Sequence, residues 1–275
     1  MSTKFKNLIQ RQPILFFYVI TFGLSWATLL IDFLYYHNNL TVQWIAVIFP
    51  ALTALIMTYF LDGRADLERL IKRVFIWRVN WKVYVAIFLM PLYWTVATVL
   101  LYKFTTGIGP NVENTDLAGW FLVLPQNLPI LLMLTLLFSV IIIGEEIGWR
   151  GYAQAKLQKQ SGWFTTNLII GLFWGLWHIA AALDPNNVLN LAPLYISIPL
   201  FVLGCIEYSF IFTWLLENSG GSILVVCLFH GFYDTFNTYA SHFFPYTITK
   251  YWLQLIVILP IIFWMHRKRI FRDKD

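Results

Sequence analysis

Charge is scarce in this chain. Of its 275 residues only 12% are Asp, Glu, Lys or Arg, against 59% hydrophobic and 19% aromatic, with a mean hydropathy of +0.66. Water-soluble domains carry about 25% charged residues, so an ordinary soluble domain is excluded. Cysteine is nearly absent as well. Cys205 and Cys227 both fall inside apolar runs, and two thiols make no disulfide framework, so they read as packing residues. The chain has no internal repeat, no low-complexity tract, no HExxH helix and no GxSxG turn. An ordinary zincin and an α/β-hydrolase elbow are therefore ruled out. No basic groove interleaved with aromatics occurs, so no nucleic-acid partner is expected.

What is abundant is apolar sequence in runs long enough to cross a bilayer core of about 30 Å as helix. Eight such runs are expected, at roughly 13–34, 43–61, 83–104, 121–158, 162–182, 191–216, 220–239 and 250–266. The expected fold is all-α, a polytopic membrane bundle of about eight transmembrane helices forming a single integral membrane domain over residues 1–275. The first run follows Lys4, Lys6 and Arg11 but lacks a small-residue cleavage site, and so reads as a retained span rather than a signal peptide.

The few basic residues are unevenly placed. Seventeen of the 19 Lys and Arg fall in the N-terminal tail, the connector 64–82, the segment 150–159 and the C-terminal tail, leaving Lys103 and Lys250 on the other side. With eight spans, the positive-inside rule puts both termini in the cytoplasm. The net charge of +5 and pI near 9.1 then suit anionic membrane lipid, and a bacterial plasma membrane is the expected location. Within the connector, "RADLERLIKRVFIWRVNWK" mixes apolar and basic residues as an interfacial amphipathic helix does.

Ionisable groups inside a bilayer cost roughly 2.5 to 3.5 kcal/mol each on insertion scales and mark function by default. Glu145 and Glu146 stand in the fourth run, His178 in the fifth, Glu207 in the sixth, and His230 with Asp234 in the seventh. At 1.5 Å per residue, Glu145, His178 and His230 lie about 17, 24 and 15 Å from the basic ends of their helices, which permits one shared site. Glu146 and Arg150 are i, i+4 with the acid first, the favourable order for an ion pair. Glu145, about 100° further round, stays outside that pair. His230 with Asp234, and Trp174 with His178, repeat the four-residue spacing. Glu207 reads either as a site-lining group or as a helix-to-helix hydrogen bond.

Such a set suits hydrolysis by an activated water, with a buried carboxylate as base and imidazoles orienting the water or an oxyanion. His178, His230 and Glu145 also satisfy the two-His-plus-acid pattern of an open zinc site, so a divalent metal stays open although no cofactor is favoured. Intramembrane Glu, His and Asp equally serve proton relays, which keeps a proton-coupled or small-solute transporter in view. Against it, no inverted repeat or paired interrupted helix is visible.

Three motifs then carry a resemblance. "EEIGWR" (145–150) matches EExxxR, "WGLWH" (174–178) matches FxxxH with Trp174 in place of Phe, and "HGFYD" (230–234) matches HxxxN/D. In this order the chain resembles the CPBP family of intramembrane endopeptidases, which includes type II CAAX prenyl proteases and bacteriocin-processing and immunity proteins. The likeness covers residues 120–240, the expected catalytic core. It implies that Glu145 activates water, that His178 and His230 shape the water and oxyanion site, that Asp234 supports them, and that Glu146 with Arg150 is structural. It further implies a peptide or protein substrate, lipidated or a leader peptide, cut near the cytoplasmic leaflet among membrane lipids. A non-catalytic immunity protein with the same fold is the third reading.

Overall fold

The computed structural model describes residues 3–106, 117–191, 193–243 and 249–272, and every regular element among them is helical. Two short helices, α1 (Thr3–Arg11) and α4 (Arg64–Lys72), accompany eight longer ones. These are α2 (Pro13–Ile31), α3 (Leu40–Asp62), α5 (Trp81–Thr106), α6 (Leu117–Glu146), α7 (Gln154–Trp177), α8 (Leu194–Asn218), α9 (Ile223–Phe243) and α10 (Thr249–Arg272). Five stretches of the described residues are long and apolar enough to cross a membrane: Pro13–Tyr36, Leu40–Asp62, Trp81–Phe104, Gln126–Leu183 and Leu194–Asn218. The chain is an integral membrane protein. The 58-residue stretch contains the fourth and fifth expected runs together. The seventh and eighth fall on α9 and α10 but are not among the five.

The bundle is apolar outside and partly polar inside. On α6, Leu136 and Val140 are exposed while Thr135, Ser139 and Glu146 are buried. With lipid tails as apolar as leucine, little hydrophobic force drives helices together, and close packing of small residues takes over. Gly148 lies against Pro50 of α3, where an added Cβ would come within 2.6 Å of the proline backbone. A Cβ on Gly171 would sit 2.3 Å from Ile206 Cα of α8. Both contacts require the absence of a side chain.

Two local departures from α-helix shape the centre. Residues Ile147–Ala153 form a π-helical turn directly after α6, a rare conformation that recurs at functional sites. Hydrophobic periodicity over 121–158 predicts one uninterrupted helix, and an inserted π turn leaves no mark on that pattern. Further on, α7 is two helical segments meeting at Gly162, whose φ of 71° only glycine adopts freely. That break separates the fourth and fifth expected runs.

The basic connector is helical only over α4, followed by a 3₁₀ turn, Arg73–Phe75. Phe75 and Trp77 remain exposed, as interfacial anchors do. Arg73 instead turns inward, donating from Nε to the Gly221 carbonyl at 2.8 Å and from Nη1 to the Gly151 carbonyl at 3.1 Å. Burial lowers its pKa from the ordinary arginine value.

Candidate active site

The π turn carries Arg150 into the interior. Although the sequence pattern groups it with the basic loops, Arg150 is only 1% exposed and Glu146 is fully buried. Arg150 Nε lies 3.2 Å from Glu146 Oε2, and Nη1 donates to Oε1 at 3.4 Å. The guanidinium carbon sits 4.2 Å from the ring centroids of both Trp174 and Phe212. Arg150 Nε and Nη2 find no hydrogen-bond acceptor among the described residues, so charge and aromatic faces hold this cation. His230 Nδ1 completes the cluster at 2.9 Å from Glu146 Oε1. Since a carboxylate only accepts, Nδ1 carries the proton.

Glu145 has other company. It is 6% exposed, and Trp174 Nε1 donates to its Oε2 at 2.9 Å. Phenylalanine, the motif's usual residue here, has no N–H to give, so Trp174 is more than a conservative aromatic change. One turn on, His178 Nδ1 meets the Trp174 carbonyl at 2.9 Å. A carbonyl cannot donate, which fixes the proton on Nδ1 and leaves Nε2 for a ligand. His230 Nε2 lies 3.5 Å from Asp234 Oδ2.

Glu145, Trp174, His178, His230 and Asp234 all line one cavity of about 230 Å³, whose other walls include Tyr208 and Phe212. A second cavity of about 180 Å³ shares Glu145 and His178 with the first and extends to Asp32, Gln43 and Asp184. Glu146 and Arg150 line neither. Glu207 is also absent from both, and both of its buried oxygens lack hydrogen-bond partners among the described residues.

Depth follows from the α3 contacts. Gly144 abuts Val47 and Gly148 abuts Pro50, so Glu145 lies level with the middle of that segment. At 1.5 Å per residue this is about 12 Å from the Leu40 end of α3 and about 21 Å from the Asp62 end. Asp62 is the end tied to the basic side, through Lys156 Nζ at 2.7 Å. The second cavity opens toward the other end.

Among the described residues one trio of ligating groups is close enough to share a cation: atoms of Glu145, Glu146 and His230 lie within 4.8 Å of one another. His178, a member of the sequence-derived metal set, is not part of it. Glu146 already faces Arg150 and His230, so an ion there would compete with a guanidinium for both of its oxygens.

Residues 126–236 match the sequence model of the type II CAAX prenyl endopeptidase Rce1-like family. A segment of 126 residues is 29% identical to the CAAX prenyl protease 2 of Methanococcus maripaludis and covers 44% of this chain. The similarity to that family is carried by residues 126–236, less than half of the chain. The alignment spans 44% of the length of that relative, and the family match runs from α6 into α9. All seven residues in the three CPBP motifs lie within it.

Outside the matched residues 126–236, the sequence pattern gives little warning of Asp32 and Gln43. Asp32 sits at the end of the first apolar run, where an acid reads as an interface residue. Its burial to 1% exposure is decided by the link to α3. Tyr208 and Phe212 are indistinguishable from packing aromatics until α8 is placed against the histidines.

Proposed function

We propose that the protein is an intramembrane peptidase in which Glu145 activates a water molecule for attack on a peptide carbonyl. The observation that carries this reading is the division between adjacent glutamates. Glu146 is enclosed by Arg150 and His230, whereas Glu145 lines two cavities beside His178. The family match over 126–236 favours hydrolysis over transport.

In the proposed cycle the water gives a proton to Glu145 as its oxygen bonds to the carbonyl carbon. His178 Nε2 accepts the water's other hydrogen bond and sets its direction. The carbonyl oxygen becomes an oxyanion. His230, held between Glu146 and Asp234, donates to it when its ring carries both protons. Collapse of the intermediate breaks the C–N bond, and the departing nitrogen takes the proton from Glu145. Trp174 keeps the carboxylate aimed throughout.

Both termini are assigned to the cytoplasm on the basic-residue asymmetry. On that assignment the reading keeps cleavage near the cytoplasmic leaflet, reached from the side of the basic loops. As the matched relative is named a CAAX prenyl protease, prenylated C-terminal peptides are the first substrate class to test, with leader peptides second.

The test uses purified protein in lipid nanodiscs with a fluorogenic peptide library that includes both classes. Cleavage by the parent, lost in Glu145→Gln and retained with chelator, is the expected result. Loss on chelation, restored by added zinc, would replace the water-only scheme with a metal-bound one. Undiminished cleavage by Glu145→Gln would sink the proposal.

A further inference from the structure

The second cavity has a character the first lacks. Asp32, Asp184 and Glu145 put three carboxylates on its wall, and no Lys or Arg lines it among the described residues. Asp32 is the unusual one. It is 1% exposed and takes part in no ion pair among the described residues. Its Oδ1 accepts from the Asn39 backbone N–H at 2.8 Å, while Oδ2 has no hydrogen-bond donor among the described residues. Oδ2 is not among the fully enclosed oxygens, so it is open to a group entering the cavity, and a cation there would offset the cost of burying this carboxylate.

The backbone holds Asp32 in that position. His37 and Asn38 adopt left-handed φ values of 55° and 66°, a conformation unusual for non-glycine residues. This turn reverses the chain between α2 and α3 and brings the Asn39 N–H onto Asp32. Across the cavity, Asp184 Oδ2 accepts from Gln43 Nε2 at 3.4 Å, and Oδ1 accepts from the Asn186 backbone N–H at 2.9 Å. Both acids are fixed by neutral donors, so their charge is left uncancelled.

We infer that this second cavity is a subsite for an organic cation, the ammonium or guanidinium of a substrate side chain beside the cleaved bond. Its about 180 Å³ equals the liquid volume of roughly six waters, room for a lysine or arginine side chain. The shared wall of Glu145 and His178 sets the distance. A peptide bond at Glu145 leaves a side chain one or two residues away facing Asp32, while the aromatic cavity takes the chain on the other side. Asp32 and Gln43 lie outside the family-matched residues, so this selectivity belongs to the chain's N-terminal helices.

The inference rests on the peptidase reading, and two measurements keep their failures apart. The first compares kcat/KM for peptides carrying lysine, arginine or norleucine at each position flanking the cleaved bond. One position is expected to favour the basic residues at least tenfold. The preference should fall to near unity in Asp32→Asn, fall less in Asp184→Asn, and survive in Asp32→Glu. No basic preference at any position, or one undiminished in both Asn variants, overturns the subsite.

The second measurement is calorimetric binding of agmatine, which carries both cation types, to the parent and to Asp32→Asn in nanodiscs. Saturable binding lost in the variant supports the subsite even where no peptide is cleaved. Equal binding by the two proteins, or none by either, overturns it. Tight calcium uptake that displaces agmatine and is lost in Asp32→Asn would overturn it in favour of a metal site.

Discussion

At residue 146 the fourth membrane run meets Arg150 at 3.2 Å and His230 at 2.9 Å, behind Trp174 and Phe212. At residue 145 it meets one indole N–H and two cavities. The two carboxylates share a helix, a chemistry and a depth. What separates them is about 100° of rotation, which turns one toward a packed cation and the other toward space that a substrate and water can enter. A charge enclosed by partners organises the interior, and a charge beside a cavity is available for proton transfer.

That contrast can be broken from either side. The largest effect is expected from Glu145→Gln, which should lower kcat by at least about a thousandfold, at the scale of removing an essential base. Its folding should be barely altered, because the amide oxygen still accepts from Trp174. Thermal unfolding in parallel with kcat checks both halves, and a stability loss matching the activity loss would remove the distinction.

Next comes Arg150→Leu, which leaves Glu146 as a buried charge and should cost about 3–5 kcal/mol in stability. Monodisperse yield and melting temperature report it. The double variant Glu146→Gln with Arg150→Leu should recover part of that loss, and no recovery would mean that the ring contacts, not the ion pair, dominate.

Trp174→Phe should be intermediate. It keeps the ring face over Arg150 but removes the hydrogen bond to Glu145, worth roughly 1.5–3 kcal/mol when the acceptor is charged. A fall of tenfold or more in kcat with little change in KM is the expected signature. Equal loss of kcat and stability would instead make the indole a packing residue.

The smallest effect is expected at Glu207, a buried carboxylate with no hydrogen-bond partner among the described residues and no place on either cavity. Glu207→Gln should leave cleavage within about twofold and stability unchanged or slightly raised, since it removes an uncompensated acid. Strong loss of cleavage would assign Glu207 a role that the geometry does not supply.

Legibility in the sequence follows the range of the interaction. The Glu146–Arg150 pair was readable because i, i+4 spacing is local. The aromatic change at Trp174 was visible too, but its hydrogen bond was not, because that depends on how α7 meets the end of α6. The same holds for Arg150. Its place beside Lys156 and Lys159 suggests the basic interface, and only the π turn with its aromatic covers draws it inside.

By itself the sequence determined a membrane-embedded helical protein, since hydropathy and run length depend on composition alone, and it named the residue types able to do hydrolysis. Which glutamate is enclosed and which faces a cavity, that Asp32 and Asp184 line one cavity although far apart in the chain, and that this cavity lies toward the Leu40 end of α3 were decided only by the tertiary structure. These depend on helix rotation and on close approach at glycine, long-range quantities that local spacing does not encode.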